Sequence, residues 1–551
     1  MKKKIFIILI IVIILLSFKE EINFNNRIII YDSDNNELAY SINNKYSNKI
    51  DINKINTRQI SYILEIEDKN FYDHKGVNFK STFRAIFNNI FNNKIEGGST
   101  ITQQMIKNIY LNNTKSIKRK ANEMILAYNI EKIMTKDEIL SEYLSSIYFG
   151  NNIYGLNNAS IYYFNKEYND LSDDELISFI ALWNSPSIYS ENINKWISKK
   201  NQILEKLYNN NLITLDNYNK MKDHINLNIN KNYIPSSRLF YLDQVIKEFN
   251  NTKINNKDNN IINIYTNYDR RLEAISSNQN YSMIITNKDG YIINCIGNNN
   301  YYNSSFSICM NGKRDIGSTI KPLLYYEAIK CGMENIKYNS KLLSIKYDNT
   351  TLTIENNNNR YYGPIDLKIA IAVSDNPYAV LTHLNLGMNT LSNHLKKYNI
   401  KSNPYPSLAL GSIGMSLYQL NNIYTQFFND GIYMHTRFIN RISIDNNDNI
   451  YKVKKEILLD KNICNKIKNY LQYPFDINIK YSTLSDISKF VKCKLYGKSG
   501  STLYDSYVIG FNDEYLISIW SGDIDGGEID SSLARNNNKE IFIKCFNILN
   551  K

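Results

Sequence analysis

The first strong signal along the chain is an uninterrupted apolar run at residues 5–16, preceded by Lys2, Lys3 and Lys4. Ser17 and Phe18 follow, and then the charged residues Lys19, Glu20 and Glu21. The run is short for a bilayer span, but no small-x-small cleavage site follows it. It predicts an uncleaved signal anchor over residues 1–25, with the lysines inside and the remainder outside the membrane. Lys19 extends the usable span by reaching its head to the interface. A cleaved signal peptide is the alternative.

Beyond residue 25 the pattern changes several times. Residues 26–51 read as a stalk with a short strand at 27–31 and a turn at 32–36. Residues 52–225 have helical periodicity, with capping-box openings at Thr135–Glu138 and Ser172–Glu175. Residues 226–275 are polar and Asn-rich, turn strand-like at 261–265, and read as a linker. From 276 to 551, β-rich runs such as 282–286 and 291–296 alternate with helical ones, ending in a helix near 539–549. That alternation predicts a separate α/β domain.

Composition supports several cores. The chain has 551 residues, 43% of them hydrophobic, including 44 Tyr and 22 Phe. Net charge is +12. No concentrated basic stripe accompanies a nucleic-acid fold motif, so nucleic acid is not an expected partner. A basic surface also suits anionic lipid headgroups and pyrophosphate. Six cysteines, Cys295, Cys309, Cys331, Cys464, Cys493 and Cys545, lie far apart in the C-terminal half without a C-x-x-C pair. They predict no zinc site. They read mostly as buried thiols, and no pairing is assigned.

Two constellations carry chemistry. The first begins with Glu67-Asp68-Lys69-Asn70-Phe71-Tyr72-Asp73-His74-Lys75-Gly76 and continues with Gly97-Gly98-Ser99-Thr100-Ile101-Thr102-Gln103-Gln104. Lys107 and Asn108, then Arg119-Lys120-Ala121-Asn122-Glu123, and then Lys136-Asp137-Glu138-Ile139-Leu140 complete it. In this order the pieces resemble the glycosyltransferase domain of class A penicillin-binding proteins and of monofunctional transglycosylases, over roughly residues 52–195. The resemblance implies a mainly α, lysozyme-like fold and polymerisation of lipid II into glycan strands. Glycosidic bond formation needs a base for the attacking hydroxyl and stabilisation of the leaving group, and two carboxylates can divide these tasks.

By resemblance, Glu67 is the base and Glu123 supports the departing pyrophosphate. Arg119, Lys120 and a divalent cation (Mg2+ or Mn2+, not tightly bound) would assist it. His74, Gly97, Ser99, Thr100, Gln103, Gln104, Lys107, Asn108 and Lys115 are the implied substrate-binding residues. Lys115 stands where the family often has Arg, and Ser141 and Ser145 stand where Glu and Asn are common. Phe79, Phe83, Ile86, Phe87, Ile90 and Phe91 lie at helical spacing. They form either a core face or, as the family implies, a face that dips into the bilayer to meet a polyprenyl-linked substrate.

The second constellation is Ser318-Thr319-Ile320-Lys321, Ser374-Asp375-Asn376 and Lys498-Ser499-Gly500-Ser501-Thr502. The order S-x-x-K, S-D-N, K-[ST]-G is the three-part signature of penicillin-binding proteins and related β-lactamases. The segment from Ala409 to Gly414 also resembles one that these transpeptidases carry.

The resemblance implies an α/β penicillin-binding domain with an antiparallel sheet, and D,D-transpeptidation through a Ser318 acyl-enzyme. Lys321 would take the Ser318 proton. Ser374 and Asn376 would relay protons, and Lys498 would stabilise charge. The strand carrying Ser499, Gly500, Ser501 and Thr502 would bind the peptide. The Ser318 amide and one near Ser501 or Thr502 would form the oxyanion hole.

The expected whole is a bifunctional wall synthase in the cell membrane, single-pass, with both catalytic domains on the extracytoplasmic side. Lipid II, nascent glycan, the membrane and wall-synthesis proteins are the expected partners, and β-lactams the expected inhibitors. The alternative is a glycosyltransferase whose C-terminal domain is catalytically weak or senses β-lactams. A lysozyme-like hydrolase and a non-catalytic scaffold are further rivals.

Overall fold

The structure is a computed structural model that describes residues 27–42, 45–80, 84, 98–110, 117–252, 254, 261–445 and 447–551. The anchor read at residues 1–25 lies outside the described residues, as do Gly97, Lys115, Phe83, Ile86, Phe87, Ile90 and Phe91. Among the described residues, no helix is long and apolar enough to cross a membrane.

The first elements among the described residues are strands β1 (Arg27–Tyr31), β2 (Glu37–Ile42) and β3 (Lys45–Ser47). A helical unit follows: α1 (Thr57–Glu67), α2 (Ile101–Tyr110), α3 (Ile117–Ile130), α4 (Lys136–Ser146), α5 (Leu156–Phe164), α6 (Asp173–Leu182) and α7 (Ile193–Asn209). Both expected capping boxes are present, at Thr135/Glu138 on α4 and Ser172/Glu175 on α6.

Next comes α8 (Ser236–Asn250), inside the stretch expected to be a linker. Its Leu239, Leu242, Val245, Ile246 and Phe249 are buried, so helical spacing of a few large apolar residues outweighs the polar average of the segment.

The C-terminal half begins with β4 (Ile261–Thr266), β5 (Tyr281–Asn287), β6 (Ile292–Ile296) and the short helix α9 (Ile308–Asn311). Then follow α10 (Lys321–Lys330), α11 (Leu367–Val373), α12 (Asn376–Leu386) and α13 (Leu417–Phe428). The chain closes with β7 (Ile439–Ile444), β8 (Asn447–Ile450), β9 (Tyr496–Ser501), β10 (Asp505–Phe511), β11 (Tyr515–Gly522) and α14 (Ser531–Leu549). The last helix starts earlier than the pattern suggests. Asp530 caps it, and the buried Asn537 and Asn538 donate to Ser521 Oγ (2.9 Å) and Ser506 Oγ (3.1 Å). These tertiary bonds compensate the low helix propensity of Asn.

Two sheets organise the fold. One has the order β8-β7-β4-β1-β2-β3, with β1 parallel to β4. It joins the helical unit to the α/β unit, because β1 and β2 are buried on both faces. Ile29, Tyr40 and Ile42 enter the helical core, while Ile28, Ile30, Leu38 and Ala39 enter the α/β core. Alternation of side chains explains this division along β1 and from Ala39 onward in β2, while Leu38 departs from it at the bulge where the β1–β2 register shifts. It also explains why β1 is an apolar run rather than an alternating one. The segment expected to be a stalk is thus wedged between two cores.

The second sheet is antiparallel, in the order β9-β10-β11-β5-β6. One face, with Ile284, Ile509 and Leu516, packs on the core around α10 and α13; the other, with Met283, Val508 and Ile519, packs on α14.

Candidate active sites

In the helical unit, Glu67 is the last residue of α1 and is half-buried. Its carboxylate is held from three sides. Gln104 Nε2 donates to Oε2 at 2.9 Å, and Trp183 Nε1 and Asn184 Nδ2 donate to Oε1 at 3.0 and 3.4 Å. Tyr143 donates in turn to Gln104 Oε1 at 3.2 Å, fixing that amide. The Gly98-to-Gln104 segment turns into α2 through a reciprocal cap: Gln103 N donates to Thr100 Oγ1, and Thr100 N donates to Gln103 Oε1, each at 3.1 Å.

Glu123, on α3, is almost fully buried and sits among cations. Arg119 Nη1 donates to Oε2 at 3.0 Å, and Lys120 Nζ donates to Oε1, which also accepts from Gln103 Nε2 at 3.3 Å. Lys120 Nζ also reaches Ser99 Oγ at 2.6 Å. Lys107 joins this group. Lys107 is solvent-exposed, yet the protein around its head desolvates the ammonium enough to push it below the usual lysine range, and Arg119 and Lys120 push the same way against the pull of Glu123. Asn108 follows it on α2, half-buried.

The result is one carboxylate ringed by positive groups, arranged for an anion such as pyrophosphate. The donor set does not fit a resident divalent cation, since the carboxylate is already paired with two side-chain cations. Among the described residues, no cluster of three or more His, Cys, Asp or Glu could hold a metal.

Other motif residues brace the site. His74 Nε2 lies 2.8 Å from Asp68 Oδ2, which also accepts from Ile101 N at 3.0 Å. Asp68 therefore ties the end of α1 to the start of α2, and His74, its ring buried, braces that carboxylate. Gly76 has φ +81°, and a Cβ there would lie 2.2 Å from Ala127 O. Only glycine lets this loop pass so close to α3. Ser141 and Ser145 clamp the backbone of Ile50: Ser141 Oγ donates to its carbonyl, and Ser145 Oγ accepts from its amide at 2.9 Å. Their departure from the family pattern thus falls on a packing contact.

In the α/β unit, Ser318 lies in a 3-10 turn (Gly317–Ile320) that runs into α10, placing Lys321 at its first position. Lys321 is fully buried. Its Nζ donates to Ser374 O (2.8 Å), Asp375 O (3.1 Å) and Asn376 Oδ1 (2.8 Å), with Ser374 Oγ at 3.4 Å. Desolvation lowers its pKa to about 7, although Asp375 pulls it upward.

Lys498 Nζ, equally buried, donates to the same Ser374 Oγ at 2.7 Å and to Ser499 O at 2.8 Å. Its pKa is also driven well down, by burial and then by Lys321. Ser374 itself has φ +61°, an uncommon left-handed conformation for a non-glycine residue, and caps α11.

Buried neighbours hold this loop. Asp375 accepts from Tyr378 N (2.8 Å), Asn356 Nδ2 (2.6 Å) and Ser340 Oγ. Asn376 N donates to Asn356 Oδ1 at 2.7 Å, and Asn376 Nδ2 donates to Glu355 O at 2.8 Å.

Three glycines allow backbone segments to close around Ser318. A Cβ on Gly411 would meet Gly317 O at 2.0 Å, one on Gly317 would meet Ser501 O at 3.0 Å and N at 3.1 Å, and one on Gly500 would meet Ile316 O at 2.9 Å. The strand register chooses between the two candidate oxyanion amides. Thr502 N donates to Asp505 O at 2.8 Å, toward β10. The two-residue period of the strand then turns the Ser501 amide outward, to the open edge of β9 beside Gly317. Thr502 Oγ1 accepts from Asp505 N and Tyr504 N and serves the turn.

Sequence reading missed Trp183 and Asn184, which follow Glu67 by more than a hundred residues and belong to no local motif. It also missed Asn356 and Ser340, which no spacing rule connects to Asp375.

A helical unit with a cation-ringed carboxylate, joined to an α/β unit with a Ser–Lys–Ser–Lys cluster, defines a two-site enzyme for glycosyl and acyl transfer. Residues 34–208 match the transglycosylase family, and residues 281–506 match the penicillin binding protein transpeptidase domain. Penicillin-binding protein 2D of Bacillus subtilis is 30% identical over 541 residues, covering 91% of this chain and 77% of the relative. Penicillin-binding protein 1A of Clostridium botulinum (strain Langeland) is 26% identical, covering 94% and 70%. The crystal structure of penicillin-binding protein 1A from Haemophilus influenzae aligns with a TM-score of 0.56 at 14% identity, covering 96% of this chain and 93% of that one. The chain belongs to the class A, bifunctional penicillin-binding proteins, which synthesise peptidoglycan with a glycosyltransferase and a transpeptidase.

Proposed function

We propose that Glu67 is the base of glycan polymerisation, taking the proton of the acceptor sugar 4-hydroxyl as that oxygen attacks the anomeric carbon of lipid II. The three donors around its carboxylate support this reading, because they aim a single side chain without covering it. The leaving pyrophosphate departs toward Arg119 and Lys120, which Glu123 holds in place, and toward the nearby Lys107. Gln103, Ser99 and Thr100 set the shape of this anion site.

In the second reaction, neutral Lys321 takes the Ser318 proton as Oγ attacks the donor peptide carbonyl. The Ser318 and Ser501 amides receive the oxyanion. The hydroxyl of Ser374, bonded to both lysines, passes the proton to the leaving amine. The amine of a second stem peptide then resolves the acyl-enzyme. The observation that carries this reading is the burial of Lys321 with its pKa near 7.

Residues 1–25 act as a single-pass anchor in this reading, with both catalytic units outside. The face begun by Phe79, whose side chain is exposed, meets the bilayer and the lipid tail. The test is a fluorescent penicillin. Label mapped to Ser318 by peptide mass supports the reading, and a folded protein that takes no label on Ser318 contradicts it.

A further inference from the structure

Two thiols that neither reaction uses face each other in the core of the α/β unit. Cys295 on β6 and Cys309 on α9 place their Sγ atoms 3.0 Å apart, and both are fully buried. Non-bonded carbon atoms ordinarily approach to about 3.5–4.0 Å, and sulfur is the larger atom, so this pair is unusually close. Ser307 Oγ lies 3.1 Å from Cys309 Sγ.

The intervening loop is well tied at its base: Ile308 N donates to Gly297 O at 3.1 Å, and Tyr301 OH donates to Asp243 on α8 at 2.7 Å. Past Cys309 the chain leads directly into the turn of Ser318.

We propose that Cys295 and Cys309 are a cross-linking site that forms a disulfide when the chain folds in an oxidising environment, closing the 296–308 loop and pinning the approach to Ser318. The oxidant is a disulfide-bearing donor, protein or small molecule. The thiolate of one of the two cysteines attacks one donor sulfur and expels the other as a thiolate. The other cysteine, deprotonated, then attacks the protein sulfur of this mixed disulfide and expels the donor sulfur still bound to it. One S–S bond forms in the protein and one breaks in the donor. Two thiol protons are released, and two electrons reduce the donor to the dithiol level. Burial of both sulfurs in the finished fold places this step before the core closes.

The test uses the full chain, folded in an oxidising compartment and quenched with maleimide under denaturing conditions. Four of the six cysteines should label before reduction and all six after it. A linked peptide pair containing Cys295 and Cys309 should appear, lighter by two hydrogens than the reduced pair. Labelling of all six without reduction, or a linked pair involving other cysteines, overturns the proposal. Reductant should also lower the melting midpoint of the wild type by about 5–10 °C and leave Cys295→Ser unmoved. A wild-type midpoint indifferent to reductant counts against the cross-link. The mass measurement needs only the wild type, so a variant that fails to fold does not blunt the test.

Discussion

The Lys498 ammonium donates to the hydroxyl of Ser374 at 2.7 Å, and Lys321 approaches the same oxygen at 3.4 Å. One serine therefore stands between two buried lysines. Ser374→Ala removes the bridge without opening the core, since its neighbours are held by Asn356 and Asp375. Penicillin acylation of Ser318 should fall about 10²–10⁴-fold, with the melting midpoint changed by only a few degrees. Acylation at the wild-type rate would exclude Ser374 from the proton path.

Lys321 sets a pH dependence. As the base proposed for Ser318 it acts only in its neutral form, and its pKa is lowered to about 7. Acylation should thus rise with pH through about 7, and at pH 6 run about tenfold below its plateau. The same shift acts on stability. Between about 7 and the ordinary lysine value the unfolded chain binds more protons than the folded one, so this group makes stability rise with pH across that window. An acylation profile flat from pH 6 to 8 would contradict the assignment of Lys321.

Trp183→Phe deletes one of the donors that orient Glu67 while keeping an aromatic body in the core. A hydrogen bond to a charged group contributes about 1.5–3 kcal/mol, equivalent to roughly 10–100-fold in rate. Polymerisation should slow by that factor with the KM for lipid II little changed. A raised KM at constant kcat would reassign Trp183 to substrate binding.

Glycines offer a contrast between the two units. Gly76→Ala forces a Cβ within 2.2 Å of Ala127 O at a φ of +81°, and should cost about 2–4 kcal/mol. That loss is read as a lower thermal midpoint and as lost polymerisation. Gly411→Ala meets Gly317 O at 2.0 Å and should abolish Ser318 acylation while sparing polymerisation. If acylation survives, the tight turn is not needed for the nucleophile.

Local motifs made much of both sites legible. Ser318 and Lys321 are three residues apart in one turn, and Glu123 pairs with Arg119 and Lys120 a turn before it on the same helix. Capping boxes at Thr135 and Ser172 were readable for the same reason. What lay hidden depends on long-range contact. Trp183 reaches Glu67, Asn356 holds Asp375, and β1 pairs with β4 across more than two hundred residues. The polar composition of residues 226–275 concealed α8, because averages erase a helix whose apolar residues fall on one face.

Lipid II incubated with wild type, Glu67→Gln and Ser318→Ala tests the two-site assignment most directly. Wild type should give cross-linked glycan, Ser318→Ala uncross-linked strands of ordinary length, and Glu67→Gln no strands while still binding fluorescent penicillin. Strands from folded Glu67→Gln at the wild-type rate, or cross-links from Ser318→Ala, would contradict it.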